Sequence, residues 1–281
     1  MANKKIAAIT TVRNDAIFLP KWISYYGKEL GFRSLFVILD GYDQERPECD
    51  GVDLVNFIQL PFRSADRVSG DKRRARVMSH FAAGLFQLFD AVIATDVDEF
   101  LLVDPDTNTS LVEYLTSLKN RTSVSGLGLD VGQHILEEQA IDDSLPMLGQ
   151  RRYAHLSARY TKPSTAFRPV IWGSGMHRIK GHGFTIDPNL YLFHFGMVDH
   201  ARSTEKTQDQ DRLAAGWGDH LDRRELLFSI ISESTPKNGD AYFDIARRRQ
   251  FYRRPFYALN KPGMLKDEPV VKIPERFFGL V

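Results

Sequence analysis

Cysteine is almost absent from this chain. The single residue, Cys49, has no partner for an internal disulfide, which excludes a disulfide-stapled scaffold and suits a reducing compartment. Long apolar runs are missing too. No stretch approaches the roughly 18 uninterrupted apolar residues of a membrane span, and Met1-Ala-Asn-Lys-Lys5 leads into a strand-like run with no signal-peptide apolar region before it. Neither sign of charge is in excess: 37 Lys and Arg face 36 Asp and Glu, and a net +1 gives no global field for nucleic acid. Internal repeats, low-complexity tracts and a clear linker are also lacking. The expectation is a soluble, cytoplasmic protein folded as a single domain over residues 1–281. Core material, by contrast, is plentiful: 43% of the residues are hydrophobic, and 19 Phe make the interior aromatic.

The first half alternates buried strands with amphipathic helices. Ile6 to Val12 reads as a strand ending in Arg13-Asn14-Asp15. Leu19, Trp22, Ile23, Tyr26 and Leu30 recur at helical spacing, with Pro20 in the first turn and Gly31 as the stop. Leu35 to Leu39 is a second strand, running into Asp40-Gly41, and Val55 to Leu60 a third. After the basic segment Asp71 to Arg76, Val77, Phe81, Leu85 and Leu88 define the inward face of another helix. Such alternation predicts an α/β fold with a mostly parallel sheet and helices on both faces.

That second helix delivers the chain to Ala91-Val-Ile-Ala94, a short buried strand running into Asp96-Val97-Asp98-Glu99. On an extended chain Asp96 and Asp98 point the same way, and two carboxylates on one face repel unless something positive lies between them. A divalent cation with oxygen ligands and open positions for phosphates answers that need; the plainer alternative is an Asp-rich turn. One Asp at a strand end is ordinary turn chemistry. Three polar strand ends, at Arg13 to Asp15, Asp40 and Asp96 to Asp98, point to one site at the carboxyl edge of the sheet. Haloacid-dehalogenase-type phosphohydrolases also use D-x-D after a strand, but on the first strand and continuing D-x-D-x-T.

The half from Ile6 to Leu102 resembles the nucleotide-sugar-binding part of a GT-A glycosyltransferase, close to the family-2-like enzymes. The matching pieces are Thr10-Thr11-Val12-Arg13-Asn14-Asp15, Leu39-Asp40-Gly41 and Asp96-Val-Asp-Glu-Phe100, and the last, with Trp22, is similar to a subgroup acting on bacterial surface glycans. The resemblance implies a GT-A-like sheet with a donor half over about 1–102 and an elaborated acceptor-side half over about 103–281. It implies Thr11 and Arg13 along the nucleotide, Asp40 at the base, Asp96 at the ribose or metal, and Asp98 at the metal. Arg76 falls near the place of an arginine common before the D-x-D. The reaction implied is metal-dependent, inverting transfer of a sugar from a nucleotide-sugar, a UDP-sugar in the first instance, to a glycan or glycolipid acceptor, with Mn²⁺ or Mg²⁺. The alternatives are a phosphohydrolase and a non-catalytic sugar-nucleotide-binding protein.

In the second half, Ser110-Leu-Val-Glu113 is a capping box, and Gly126 to Asp130 is strand-like, its glycines leaving room for a sugar to approach the backbone. Asp130 ends that strand and is the expected catalytic base, with Asp187 and Glu137 in reserve. Lys162, Arg168 and Arg178 can add charge to the phosphates. Four histidines, His155, His177, His182 and His194, lie between His134 and His200. His194 sits inside the aromatic run Leu190 to Phe195, where burial demands a hydrogen bond or a metal; by position it resembles the third metal ligand of GT-A enzymes. Glu205 to Arg212 reads as a solvated helix face and Leu221 to Ile231 as a further helix. Arg247 to Tyr257 mixes cations with aromatics, which suits either a surface segment with snorkelling stems or contact with an anionic membrane at its inner face, or with an acidic glycan.

Overall fold

A computed structural model describes residues 4–63, 66–207, 218–254, 256–267 and 269–281. The chain is mixed α/β, as expected, and its strands join one eleven-stranded sheet. β1 (Ile6–Val12), β2 (Leu35–Asp40), β3 (Asn56–Leu60) and β4 (Ala91–Ala94) run parallel, in the order β4-β1-β2-β3. The short β8 (Thr165–Ala166) pairs antiparallel with both β4 and β6 (Ser123–Gly132), so it carries the sheet into the second half. There β6 lies parallel to β9 (Ile186–Met197), and β9 takes β5 (Glu99–Val103) on its other side, antiparallel. β7 (Tyr153–Leu156), β10 (Lys237–Asn238) and β11 (Val270–Lys272) complete the far edge.

Alternation along β1 explains why helices cover both faces of the parallel part. Ala8 and Val12 point into a core shared with Trp22, Ile23 and Tyr26 of α1 (Phe18–Leu30). Ala7 and Ile9 point the other way, onto Met78, Ala82 and Leu85 of α2 (Arg67–Leu85). Gly31 stops α1 at φ 84°, a backbone angle that disfavours side-chain-bearing residues. The capping box opens α3 (Leu111–Ser117) as expected, with Ser110 and Glu113 bonded reciprocally. Among the described residues no helix is long and apolar enough to cross a membrane.

Three local expectations change. α2 begins at Arg67, capped by Asp66, so the basic segment is helical. Its inward face is Ala75, Met78, Ala82 and Leu85, one step round from the expected phase, and Leu88 lies past its end with 71% exposure. Glu138, for which a solvated helix start and an acceptor-facing position are both open in the sequence, is 6% exposed and accepts from the His134 and Arg152 amides. The glycines of β6 make room for the protein's own backbone. A Cβ on Gly128 would come within 2.3 Å of the Thr161 nitrogen and the Tyr160 carbonyl carbon, and one on Gly126 within 2.8 Å of the Tyr191 carbonyl carbon. The later helices are His200–Thr207, Gly218–Glu233 and Gly239–Tyr252. The part of the Glu205 to Arg212 run beyond Thr207 lies outside the described residues.

Candidate active site

The Asp96 to Asp98 segment is not strand. β4 ends at Ala94, and a turn carries the carboxylates before β5 begins at Glu99. Glu99 closes that turn, its Oε2 accepting from the Asp96 amide at 3.1 Å and its own amide donating to the Asp96 carbonyl at 3.1 Å. Helix α1 clamps the turn from one face. Trp22 Nε1 donates to Thr95 Oγ1 at 3.0 Å, and the Tyr26 hydroxyl accepts from the Leu101 amide at 2.8 Å. Burying two such aromatics contributes on the order of 2–3 kcal/mol each, which makes α1 a firm backing for a turn that carries three acids.

Each carboxylate has found a cation from the chain itself. Lys162, with its side chain only 2% exposed, sets its ammonium 3.0 Å from Asp96 Oδ2 and 2.7 Å from Glu99 Oε1. Arg74 of α2 approaches Asp96 Oδ1 at 3.7 Å while also holding Asp71 at 2.8 Å. Burial works against the Asp96 carboxylate, but Lys162 and then Arg74 outweigh it and hold its pKa below the usual range. For Glu99 burial dominates and raises the pKa. Lys162, expected among the diphosphate contacts, therefore spends its ammonium beneath the turn. Arg74, which sequence reading passed over, faces Asp96 in place of Arg76. The helical period contained the clue: Arg76 shares its face with exposed Lys72 and His80, whereas Arg74 lies four residues before buried Met78.

Asp98 meets the other half of the sheet. Its carbonyl accepts from the Phe195 amide at 2.9 Å, and its Oδ2 lies 3.3 Å from His194 Nε2. The other imidazole nitrogen, Nδ1, is 2.6 Å from Asp130 Oδ1. Register dictates this trio: His194 of β9 stands opposite Glu99 on one neighbour and Asp130 on the other. Tyr160 stacks on the His194 ring, centroids 3.8 Å apart and planes 15° off parallel. The stack depends on Gly128, which lets the Ser157–Thr161 turn lie against β6, with Ser157 and Thr161 bonded to the Gly128 carbonyl and amide. Burial lowers the His194 pKa, but the flanking Asp98 and Asp130 win and raise it to about 9.

Of the remaining predicted positions, Arg13, Asp40 and Thr11 lie at the carboxyl ends of the parallel strands β1 and β2, and Asp187 and Glu137 do not. Arg13, just after β1, donates to the Asp40 carbonyl at 2.7 Å, grips Asp43 with both terminal nitrogens and lies 4.0 Å from the Phe62 ring centre. Asp40 ends β2, and the Thr11 hydroxyl contacts Met78 Sδ at 3.1 Å. Asp187 stands seven residues before His194 on β9, roughly 23 Å away at strand rise, bonded to Tyr114. Glu137 is tied to Tyr153. Among the described residues no group of three or more His, Cys, Asp and Glu side chains is arranged to hold a metal ion; Asp98 and His194 come together, and Asp96 is engaged elsewhere.

No protein-family model and no curated protein matches the chain. Among solved structures, a mannose-1-phosphate geranyltransferase from Thermus thermophilus aligns over 82% of this chain and 69% of its own, at 10% identity and a TM-score of 0.28. A likeness that loose carries no argument about chemistry, and the functional reading rests on the side chains just described.

Proposed function

We propose that this chain is a glycosyltransferase that takes a sugar from a nucleoside diphosphate donor, with a divalent cation held between Asp98 and His194. The observation that carries the reading is the Asp130–His194–Asp98 chain. A carboxylate on Nδ1 fixes the imidazole and turns Nε2 toward the second ligand, the usual outer-shell arrangement behind a metal-bound histidine. Two neighbouring ligands on an octahedral ion of this size stand about 3 Å apart, close to the 3.3 Å between Asp98 Oδ2 and His194 Nε2. Imidazole with carboxylate suits Mn²⁺ better than Mg²⁺. Two protein ligands are few, but such ions are commonly completed by substrate phosphates and water.

When bound, the ion neutralises charge on the departing diphosphate. The chain's own residues do the rest. Asp98 and His194 present the ligand atoms; Asp130 positions the ring; Lys162 and Glu99 keep the turn in one shape. Arg74, partly exposed beside Asp96, supplies a fixed cation at the phosphate side. Thr11, Arg13 and Asp40 border the same edge and line the nucleotide. We assign Asp130 the base of an inverting transfer as well, through the oxygen other than the Oδ1 that meets His194.

The test is calorimetric titration of UDP and other nucleoside diphosphates with and without Mn²⁺, followed by incubation with labelled sugar nucleotides. Binding that requires Mn²⁺ and is lost in Asp98→Ala, together with sugar transfer to a glycan or glycolipid acceptor, is the expected result. Equal affinity in Asp98→Ala with Mn²⁺ present refutes the site. Release of inorganic phosphate without transfer makes the protein a phosphohydrolase instead.

A further inference from the structure

The segment that follows Asp244 has a composition of its own. Between Asp244 and Asp267 the sequence carries seven cations, Arg247, Arg248, Arg249, Arg253, Arg254, Lys261 and Lys266, and no carboxylate. Three of the seven are engaged by the fold: Arg247 lies over the Tyr191 ring, Arg249 pairs with Asp267 at 2.9 Å, and Arg254 lies 4.0 Å from the Phe251 ring centre and donates to the Leu259 carbonyl. Arg248, Arg253 and Lys266 are exposed. Beside them the chain leaves Phe256 97%, Tyr257 92%, Tyr252 79%, Met264 59% and Leu259 55% exposed. Single exposed apolar residues are ordinary, but a concentration of them within one short segment is a feature of interaction sites.

The placement of the patch adds a second observation. Asn260 Nδ2 donates to the Ile179 carbonyl at 2.8 Å, and Phe184 packs against Phe251 at 6.1 Å, so the patch is fastened to the 171–184 loop. That loop carries His177, which bonds the Arg159 carbonyl in the turn that stacks Tyr160 on His194. The segment is therefore linked, through this loop, to the turn that stacks Tyr160 on His194.

We propose that this surface seats the protein on an anionic lipid bilayer. Charge complementarity selects the occupant. A second copy docking through the same patch would set like cations against one another across a two-fold axis. An acidic glycan would answer the charges and could stack sugar faces on the rings, but would leave exposed Met264 and Leu259 without an apolar partner. A bilayer with anionic headgroups provides both, with aromatic rings at headgroup depth and Arg and Lys at the phosphate plane.

The experiment is co-flotation of the full chain with phosphatidylcholine vesicles, with and without phosphatidylglycerol, at rising salt. Binding requires phosphatidylglycerol and weakens with salt. Phe256→Ser with Tyr257→Ser lowers vesicle partitioning by about tenfold or more, and Arg248→Glu with Arg253→Glu does the same. Because these side chains are exposed, both variants keep the wild-type melting temperature. Three outcomes overturn the proposal: equal flotation of the wild type with both vesicles, serine variants that float as the wild type does, or a dimer in solution that the serine substitutions dissolve. Retention of the serine variants on an acidic polysaccharide, with no vesicle binding by the wild type, assigns the patch to a glycan instead and also overturns it.

Discussion

Replacing Lys162 with methionine tests the design of the acidic turn directly. The ammonium is 2% exposed and lies 2.7 Å from the fully buried Glu99 carboxylate and 3.0 Å from Asp96. Methionine matches the stem but leaves Glu99 uncompensated. Removing one partner of a buried pair costs about 3–5 kcal/mol. At about 2–4 °C per kcal/mol in larger domains, the melting temperature falls on the order of 10 °C. The sign of the pH dependence follows from Glu99. Its pKa is already raised by burial and rises further without Lys162, so the folded state holds a proton that the unfolded state releases. The deficit of the variant therefore grows as pH rises above the ordinary carboxylate range and shrinks as pH falls toward it. Adding Glu99→Gln to Lys162→Met recovers roughly half of the loss, since Asp96 still has Arg74. Differential scanning calorimetry of wild type, single and double variants, each at two pH values, reads all of this. A single variant that melts within about 1 °C of wild type would falsify the buried clamp and free Lys162 for the donor phosphates.

Four further outcomes follow from the same geometry. Asp130→Asn weakens Mn²⁺ binding about 10- to 100-fold by calorimetry, as loss of an outer-shell carboxylate does; unchanged Mn²⁺ affinity with turnover down by about 10² or more leaves Asp130 only the role of base. Gly128→Ala forces the Ser157–Thr161 turn off β6, where the added carbon would lie 2.3 Å from backbone atoms. Its melting temperature drops by an amount corresponding to about 1–3 kcal/mol, and a melt equal to wild type means that the turn shifts freely. His177 has its pKa lowered to about 4, chiefly by burial, from 6.5. Its share of stability is present above 6.5 and is lost as pH falls toward 4, so His177→Phe flattens the acid side of the melting curve, and parallel curves contradict the shift. Arg74→Ala raises the dissociation constant of a nucleoside diphosphate by roughly tenfold, while Arg76→Ala leaves it within about twofold; a reversed order returns the role to Arg76.

Most strands and the first helix could be read from the sequence, because each is a short-range pattern. Ile6 to Val12 and Ala91 to Ala94 come out with the expected bounds, and Gly31 ends α1 where expected. The phase of α2 could not be read as easily. Val77, Phe81, Leu85 and Leu88 make a plausible stripe, but Met78 and the small Ala75 and Ala82 are buried, with Val77 and Phe81 only partly covered. The acids of the candidate site were legible as residue types and not as partners. Nothing local says that Lys162 will be buried under Asp96, 66 positions away, or that Asp130 will stand beside His194, 64 positions away. Those pairings are set by strand order, through β8 and the β6–β9 ladder, and strand order is a property of the whole sheet.

β9 acts as a ruler for the site. Asp130 and Glu99 are its rung partners on either side at His194, and the next residue, Phe195, holds the Asp98 carbonyl. The spacing of Asp130 and His194 is thus inherited from the pitch of the backbone ladder, and the turn that carries Asp98 is pinned to it by that bond. A divalent cation bound there would stabilise the fold only by the mass action of its binding, unlike sites in which the metal organises the chain. The same inheritance makes the site brittle in one specific way. A single residue inserted between Leu190 and His194 would turn the imidazole to the opposite face, erasing the chemistry while much of the scaffold stands.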